Sequence, residues 1–549
     1  MNDNRKYMLW LPVTAALFLI AGIWTGTYLS NHDNTRAGRQ KLDRVFDIID
    51  QYYVDEVSAD SLIELTLPEL LHNLDPHSAY IPREDRLAAN RDLEGSFYGI
   101  GVSFQIINDT IYVLEVISGG AAEEAGLLAG DRIIEVDGEN IAGTGVTEND
   151  VFTRLRGPEG TPVEVTVKRH NANAPIKYNL TRGEVPVSPI DASYMINDST
   201  GYLRLGKFSD NTYAEALTTL MQLRFLGAKS FILDLRGNGG GYMLPAVRVA
   251  NEFLDPERII VSTKGRSMVD NRTIYADGSG DFRNEKLVVL VDEFSASSSE
   301  ILSGSIQDND RGLIIGRRTF GKGLVQQPFE LPDSSEFRLT VQRYYTPSGR
   351  CIQKQYTPGH SMDYEVEVYD RYNRGEIFSA DSIKVDSTQI FHTTTGRMVY
   401  GSGGIIPDIF VPSDTSGVTN YYIKVANAGL LRKFAYEYAD LNRERLNESE
   451  NTADMLSRLP ADYVLLQSFV NYANTKGGIA PRWYYINISA PLIVNQIKAL
   501  IARDILGLDG YFEVVNETDP VVQEALRQLS SGGADFPLSD HKTAENDTK

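Results

Sequence analysis

A chain of 549 residues, 42% of them apolar, has material for several separate cores. Its formal net charge of −21 excludes a nucleic-acid binder, which would show a basic face, and otherwise speaks only to solubility. The lone cysteine, Cys351, excludes an intrachain disulfide and a cysteine metal cluster. His72 and His77 lack the HExxH spacing, so no metal-dependent reaction and no cofactor is expected.

Residues 7–29, YMLWLPVTAALFLIAGIWTGTYL, carry no charge and are long enough to span a bilayer core of about 30 Å as a helix. Arg5 and Lys6 precede them, which puts the N-terminus in the cytoplasm and the rest outside. No A-x-A site precedes Ser30, so an uncleaved anchor over 1–32 is expected rather than a cleaved signal peptide; either way the bulk is exported. The expected location is the inner membrane, single-pass, with the main part in the periplasm.

From 33 to 94 the pattern is helical. Leu42, Val45, Phe46, Ile49 and Tyr52 recur at the spacing of an amphipathic face, and a second run, Leu62 to Leu74, contains Pro68, expected to kink or restart it. LDPHSAYI (74–81) reads as a turn. Residues 95–182 are Gly-punctuated and strand-rich, with strands over 102–106 and 111–117, a turn and strand across 126–138 and a short helix over 147–156.

In 183–412 strands and helices alternate. FILDLR (231–236) and LVVLVD (287–292) are nearly continuous apolar runs, as in strands buried on both faces, and helices follow at 211–226, 242–254 and 298–308. This order predicts an α/β core, α+β overall once the rest is counted. The extension 413–549 is helical, with apolar faces at Leu430, Leu431 and Phe434 and at Val494, Ile497 and Ile501. The polar tail after about 530 is expected to be disordered.

The chemistry concentrates in DEFSASSSEILSGSIQDNDRGLIIGRRTFGKGLVQ (292–326). A Ser-rich turn follows an apolar strand and opens a helix, and Lys322 stands 25 residues after Ser297 between two glycines. A serine hydroxyl needs a base, and a lysine serves as one only when desolvated. The apolar neighbours Phe320, Leu324 and Val325 supply burial, and Gln326 is placed to orient the amine. Two turns offer backbone N–H groups to an oxyanion: DLRGNGGGYM (234–243), and the start of the helix at Ser298. Alternatively, the Ser-rich turn is only an N-cap. A phosphate loop is the other competitor, since Gly316 to Lys322 spells GxxxxGK. The following position, however, is Gly323 where magnesium binding needs Ser or Thr, and a strand is expected next.

Several motifs in order resemble those of the C-terminal processing peptidases, a serine–lysine peptidase family also called tail-specific proteases. LDPHSAYI (74–81) resembles its LDPxSxY element, YGIGVSF (98–104) the loop leading into its PDZ domain, and LDLRGNGGG (233–241) its LDLRxNPGG. SASSSE (295–300) resembles the nucleophile motif SASASE and TFGKGLVQ (319–326) the lysine motif; YYTPSGRCIQ (344–353) and GGIIPD (403–408) match further elements. The resemblance spans about 40–412. It implies a ClpP/crotonase-like protease core with an inserted PDZ domain, an N-terminal helical region and a helical C-terminal extension.

Carried over residue by residue, the nucleophile falls on Ser297, the base on Lys322 and the lysine-orienting glutamine on Gln326. The oxyanion donors fall on the N–H groups of Gly240 and Ser298, the latter in place of the more usual alanine. The carboxylate loop of the PDZ domain falls on Tyr98, Gly99, Ile100 and Gly101, with Ile100, Val102, Phe104, Val151 and Leu155 around a pocket for the last side chain. The same five residues are alternatively core. Ser295, Ser299 and His77 are expected to be structural, and Arg132, Arg154 and Arg156 to be surface charges. The implied function is an endopeptidase that recognises protein C-termini, with exported proteins bearing apolar C-termini as partners and the membrane as a second partner. A homodimer or regulatory partner stays open. The alternative is a catalytically silent PDZ scaffold for exported proteins.

Overall fold

The computed structural model describes residues 37–86, 89, 95–170 and 172–535. The expected anchor at 7–29 and the tail from 536 onward lie outside the described residues. The chain divides into two compact units, 1–74 and 75–549. The first contains helix α1 over 37–52 and α2 (Ala59–His72), the latter started by the Ser58 hydroxyl accepting from the N–H of Ser61. Pro68 lies inside α2 without ending it: its fixed φ suits a helix and one N–H is lost, so the expected break is absent. The expected stripe on α1 is helical but largely exposed, with Tyr52 at 71%.

The second unit opens with β1 (Ala79–Ile81) and continues into a small module. Its elements are β2 (Ser96–Gly99), β3 (Val102–Ile106), β4 (Ile111–Val116), α3 (Ala121–Ala125), β5 (Arg132–Val136), β6 (Glu139–Asn140), α4 (Glu148–Leu155), β7 (Pro162–Lys168), β8 (Ile176–Thr181) and β9 (Gly183–Pro186). Strands run β3-β4-β5-β7-β8 with β6 on β5, while β2 and β9 pair apart, so the chain enters and leaves the module side by side. Thr147 and Asp150 form a capping box that starts α4. Ile100, Val113, Ile133, Val151, Leu155 and Val165 close the module's core.

The central layer comprises β10 (Ile190–Asn197), β11 (Thr200–Leu205), α5 (Thr212–Phe225), β12 (Ser230–Asp234), α6 (Met243–Phe253), β13 (Ile259–Gly265), β14 (Arg272–Tyr275), β15 (Lys286–Val291), α7 (Ser298–Asp308) and β16 (Leu313–Gly316). After these come β17 (Leu324–Glu330), β18 (Glu336–Tyr345), α8 (Ser361–Asn373), β19 (Ile390–His392), β20 (Met398–Tyr400) and β21 (Ile409–Phe410). One sheet runs β10-β11-β12-β15-β16-β21, parallel from β11 onward; a second joins β1, β18, β13 and β14, with β17 also on β18. Every residue of β12 is buried, as its apolar run required. Asp234 of β12 pairs with Leu290 of β15, so the two strands end level and their following loops emerge together. That shared edge builds the site.

The extension holds α9 (Asn420–Asn427), α10 (Leu430–Leu441), α11 (Arg443–Asn447), α12 (Thr452–Ser457), α13 (Asp462–Gly477), α14 (Trp483–Asn516) and α15 (Pro520–Ser530). Helices α9 to α14 enclose their own core around Leu431, Phe434, Phe469, Ile493, Ile497 and Ile501. Helix α14 is long and apolar enough to cross a membrane by length and composition, but half of its most apolar window is buried here, and Gly507 (φ 76) kinks it. Helix α15 turns back to cover the central sheet with Val521, Val522, Ala525 and Leu529. Residues 531–535, expected in the disordered tail, are placed because Ala534 is buried in that same cluster.

The extension also meets the small module through buried charge. Arg443 bridges Asp504 at 2.6 Å and Asp440 at 3.2 Å, Tyr112 of β4 donates to both carboxylates, and Arg132 of β5 pairs with Asp440. Tyr112 stacks on Tyr436 at 5.3 Å. Arg132 is therefore a contact residue between domains rather than a plain surface charge.

Candidate active site

Ser297 opens α7 at φ 55, ψ −112, a conformation a non-glycine residue holds only when its surroundings impose it. Its neighbours impose it by hydrogen bonds to the loop after β12. The Ser295 hydroxyl donates to the Leu235 carbonyl at 2.8 Å, the Ser299 hydroxyl to that of Asn238 at 2.9 Å, and the Ser298 hydroxyl to that of Gly241 at 2.8 Å. Ser295 and Ser299 thus tie the loops together, in keeping with a structural role. Ser297 and Glu300 form a capping box at the start of α7, and the Ser297 side chain remains half-exposed.

The lysine loop docks on the same helix through Glu300, which is fully buried. Its carboxylate accepts from the N–H of Ser297 (2.9 Å), the hydroxyl of Thr319 (2.6 Å) and the N–H groups of Gly321 (2.7 Å) and Lys322 (2.8 Å). Burial pushes its pKa up and those donors pull it back. All four neighbours donate, the set that a carboxylate accepts, and the net shift is upward. The Tyr344 hydroxyl reaches the backbone carbonyls of both Ser297 and Lys322. Together these contacts bring the two loops side by side.

Lys322 donates from Nζ to Oε1 of Gln326 at 3.2 Å, and no hydrogen bond joins it to Ser297 in this resting arrangement. Burial holds its pKa below the ordinary lysine value; Arg338 pushes the same way, against Glu300 and Asp75. Nε2 of Gln326 donates to the His77 carbonyl in the LDPHSAYI turn. Asp75 organises that turn, accepting from the N–H groups of His77 and Ser78, each at 2.9 Å, and from the Ser78 hydroxyl at 2.6 Å.

On the facing side, Gly240 has φ 101, and a Cβ there would lie 2.8 Å from Cβ of Ser297 and 3.0 Å from the nitrogen of Ser298. Its N–H, however, donates to Oδ1 of Asn238 at 2.8 Å, so in this arrangement it is engaged. The N–H of Ser298 has no acceptor among the described residues. Below the glycine run Asp234 is buried: desolvation alone would raise its pKa, but Arg236 and Arg204 hold it far below the carboxylate range. Arg236 also reaches Asp519, the N-cap of α15, at 2.8 Å.

In the small module Tyr98 is exposed, while Gly101 sits at φ 82 with Gly120 so close that a Cβ would lie 2.9 Å from its Cα. The Ile100 carbonyl accepts from the N–H of Ala122 and that of Gly101 from the N–H of Ile117, which fixes the loop. Among the described residues strand β3 pairs only with β4, leaving its other edge open. Ile100, Val151 and Leu155 are buried in the module's core; of the five expected pocket residues only Val102 and Phe104 stay half-exposed. Phe104 meets Phe152 of α4 edge to face at 5.4 Å. The Arg156 guanidinium lies between the rings of Phe97 and Phe152, at 4.2 and 4.3 Å.

Glu300, Asn238 and Tyr344 were not among the sequence candidates. Glu300 had a signal, since Ser297-x-x-Glu300 is capping-box spacing; Asn238 and Tyr344 had none beyond lying in the quoted motifs. Among the described residues no cluster of three or more His, Cys, Asp or Glu side chains suits a metal ion.

Residues 199–366 match the model of peptidase family S41, 112–169 that of a PDZ domain, and 421–507 that of a family of unknown function. The chain is 32% identical over 389 residues to a carboxy-terminal-processing protease of Bartonella bacilliformis, covering 66% of this chain and 88% of the relative. It is 30% identical over 362 residues to a probable CtpA-like serine protease of Staphylococcus haemolyticus, covering 64% and 72%. Among solved structures, the photosystem II D1 C-terminal processing protease is 32% identical, over 56% of this chain and 89% of that one, with a TM-score of 0.32.

Proposed function

The chain belongs to peptidase family S41 and is a serine-type peptidase, and from that premise we propose that Ser297 and Lys322 are its catalytic pair, acting on proteins delivered by their C-termini. One observation supports the pair above the others: a single buried carboxylate, Glu300, binds the backbone of both residues at once. Lys322, whose pKa burial lowers, in its neutral form takes the Ser297 proton as the oxygen attacks the scissile carbonyl. The oxyanion meets the N–H of Ser298 and one from the glycine run; Gly240 serves once substrate displaces Asn238. The Lys322 ammonium then protonates the departing amine, and water hydrolyses the acyl-enzyme with Lys322 again as base. Because Lys322 rests on Gln326, its amine swings to Ser297 as substrate binds.

Substrate recognition falls to the small module. An extended tail adds to the open edge of β3 while N–H groups of the loop Tyr98–Gly101 take its carboxylate, with Val102 and Phe104 contacting the last side chains. Substrates are exported proteins with apolar, loosely structured C-termini, and the uncharged segment 7–29 anchors the enzyme beside them in the membrane.

The test is cleavage of an unfolded polypeptide ending in an apolar tail, with the same tail amidated for comparison. Ser297→Ala and Lys322→Ala each lower kcat by roughly a thousandfold or more, as expected for loss of a catalytic member. Amidation raises KM and leaves kcat nearly unchanged. Proteolysis retained in either variant would remove the dyad. Binding of the tail by wild type without any cleavage would favour a silent scaffold.

A further inference from the structure

Lys322 is enclosed by a closed circuit of hydrogen bonds that no step of the chemistry above uses. It starts at the next residue, where the N–H of Gly323 donates to Oε1 of Gln353 at 2.8 Å. Nε2 of Gln353 lies 3.1 Å from the Tyr364 hydroxyl, and that hydroxyl lies 2.9 Å from Nε2 of His77. The His77 carbonyl accepts from Gln326, whose Oε1 accepts from Lys322. Three separate segments, the LDPHSAYI turn, the loop at Gln353 and helix α8, thus converge behind one amine.

The orientation of the two glutamine amides follows from two backbone groups whose roles are not negotiable. A peptide N–H can only donate, so Gly323 fixes the Gln353 amide with Oε1 toward itself and its NH2 toward Tyr364. The Tyr364 hydroxyl accepts there and also meets Nε2 of His77, where the imidazole tautomer sets which of the two donates. At the other end a carbonyl can only accept. His77 therefore fixes the Gln326 amide with NH2 toward itself and Oε1 toward Lys322. Were that amide reversed, its NH2 would face the amine and donate into the lone pair that must receive the Ser297 proton.

We infer that His77 and Tyr364 are positioning residues whose contact holds the Gln326 amide with its oxygen toward Lys322, leaving the amine's lone pair free for Ser297. Tyr364 is 4% exposed and packs edge-on to the His77 ring at 5.0 Å, so the contact is dry and its geometry is set by packing as well. The inference rests on Lys322 as base.

The experiment compares Tyr364→Phe, His77→Leu and His77→Gln with Lys322→Ala in the full chain. Readouts are kcat and KM on the tailed polypeptide and the rate at which a fluorophosphonate probe labels Ser297. Tyr364→Phe keeps the ring and loses one oxygen; kcat and labelling fall together by about 10- to 100-fold, the effect of a misplaced catalytic group, with KM within about twofold. His77→Leu behaves alike. His77→Gln, whose side-chain oxygen can take the Tyr364 proton, returns to within about threefold of wild type. Wild-type kcat in Tyr364→Phe, or equal loss in His77→Gln and His77→Leu, overturns the positioning role. If the His77 variants fail to fold, Tyr364→Phe alone decides. A fully active Lys322→Ala would instead sink the base assignment, a result distinct from either.

Discussion

Glu300, between the nucleophile and lysine loops, is surrounded by donors that carry no charge of their own, whereas Asp504, where the extension meets the small module, faces the Arg443 guanidinium. Both carboxylates are buried, and burial pushes both pKa values up, that of Asp504 to about 6. The difference lies in what the charge organises. Glu300 orders three peptide N–H groups and a hydroxyl, so it fixes backbone positions without adding a cation near Lys322. Asp504 neutralises Arg443 of its own extension and accepts from Tyr112 of the small module. Burial lowers the Lys322 pKa against the opposing pull of Glu300, whereas the contact between the extension and the small module is an ion pair, Arg132 with Asp440.

The largest effect should come from Glu300→Ala. Three backbone N–H groups and the Thr319 hydroxyl lose their acceptor together, and the Ser297 and Lys322 loops lose their common anchor. Probe labelling of Ser297 should fall by about a thousandfold, comparable to losing a catalytic member. Labelling within about tenfold of wild type would mean that Tyr344 alone holds the loops in register, and the contrast with Asp504 would lose its basis.

Much of the site side of this comparison is legible in the sequence, because its parts are local. The apolar runs of β12 and β15 give buried strands, and the loops after them carry Gly240 and Ser297. The contact between the extension and the small module is not legible, since Tyr112 and Asp504 are 392 residues apart and neither sits in a periodic pattern that names a partner. The same limit explains Arg132, which reads as a surface charge until Asp440 is placed beside it. Tyr364 is invisible for a related reason: an aromatic on an amphipathic helix looks like core until His77, 287 residues away, meets its hydroxyl. Val151 and Leu155 are open to both readings, pocket and core. Helical spacing puts them on one face of α4, and that face supplies the module's core rather than an open pocket.

Next in size is Asp504→Ala. It leaves Arg443 buried with the Tyr112 hydroxyl at 3.1 Å and Asp440 at 3.2 Å, and removing one partner of a buried pair costs about 3 kcal/mol. Denaturant unfolding of the full chain should show that loss while probe labelling of Ser297 stays within about twofold. Labelling that falls together with stability would mean the ion contact and the catalytic loops are one cooperative system. Gly101→Ala is smaller and confined to the tail-binding loop. Its φ of 82 and the closeness of Gly120 forbid a Cβ, so KM for the tailed polypeptide should rise by about tenfold with labelling unchanged.

The finest separation is in pH. His77 in the folded chain titrates near 3, held down first by burial and then by Lys322 and Lys354, against the ordinary 6.5. Between those values the unfolded chain binds a proton that the folded one refuses, so the stability carried by His77 is present above 6.5 and lost as pH falls toward 3. Asp504 runs the other way. Its folded pKa near 6 exceeds the ordinary 3.8, so the folded chain binds the extra proton, and this contribution weakens as pH rises from 3.8 to 6. Lys322 adds a third window: its lowered pKa makes stability rise with pH between that value and 10.5, and kcat/KM rises as the amine loses its proton. Denaturant midpoints measured from pH 3 to 8 should therefore flatten in opposite senses in two variants. His77→Gln removes the acid loss below 6.5, and Asp504→Asn removes the gain between 6 and 3.8. Identical pH profiles for the two variants would show that burial does not shift His77 and Asp504 so as to give opposite pH dependences.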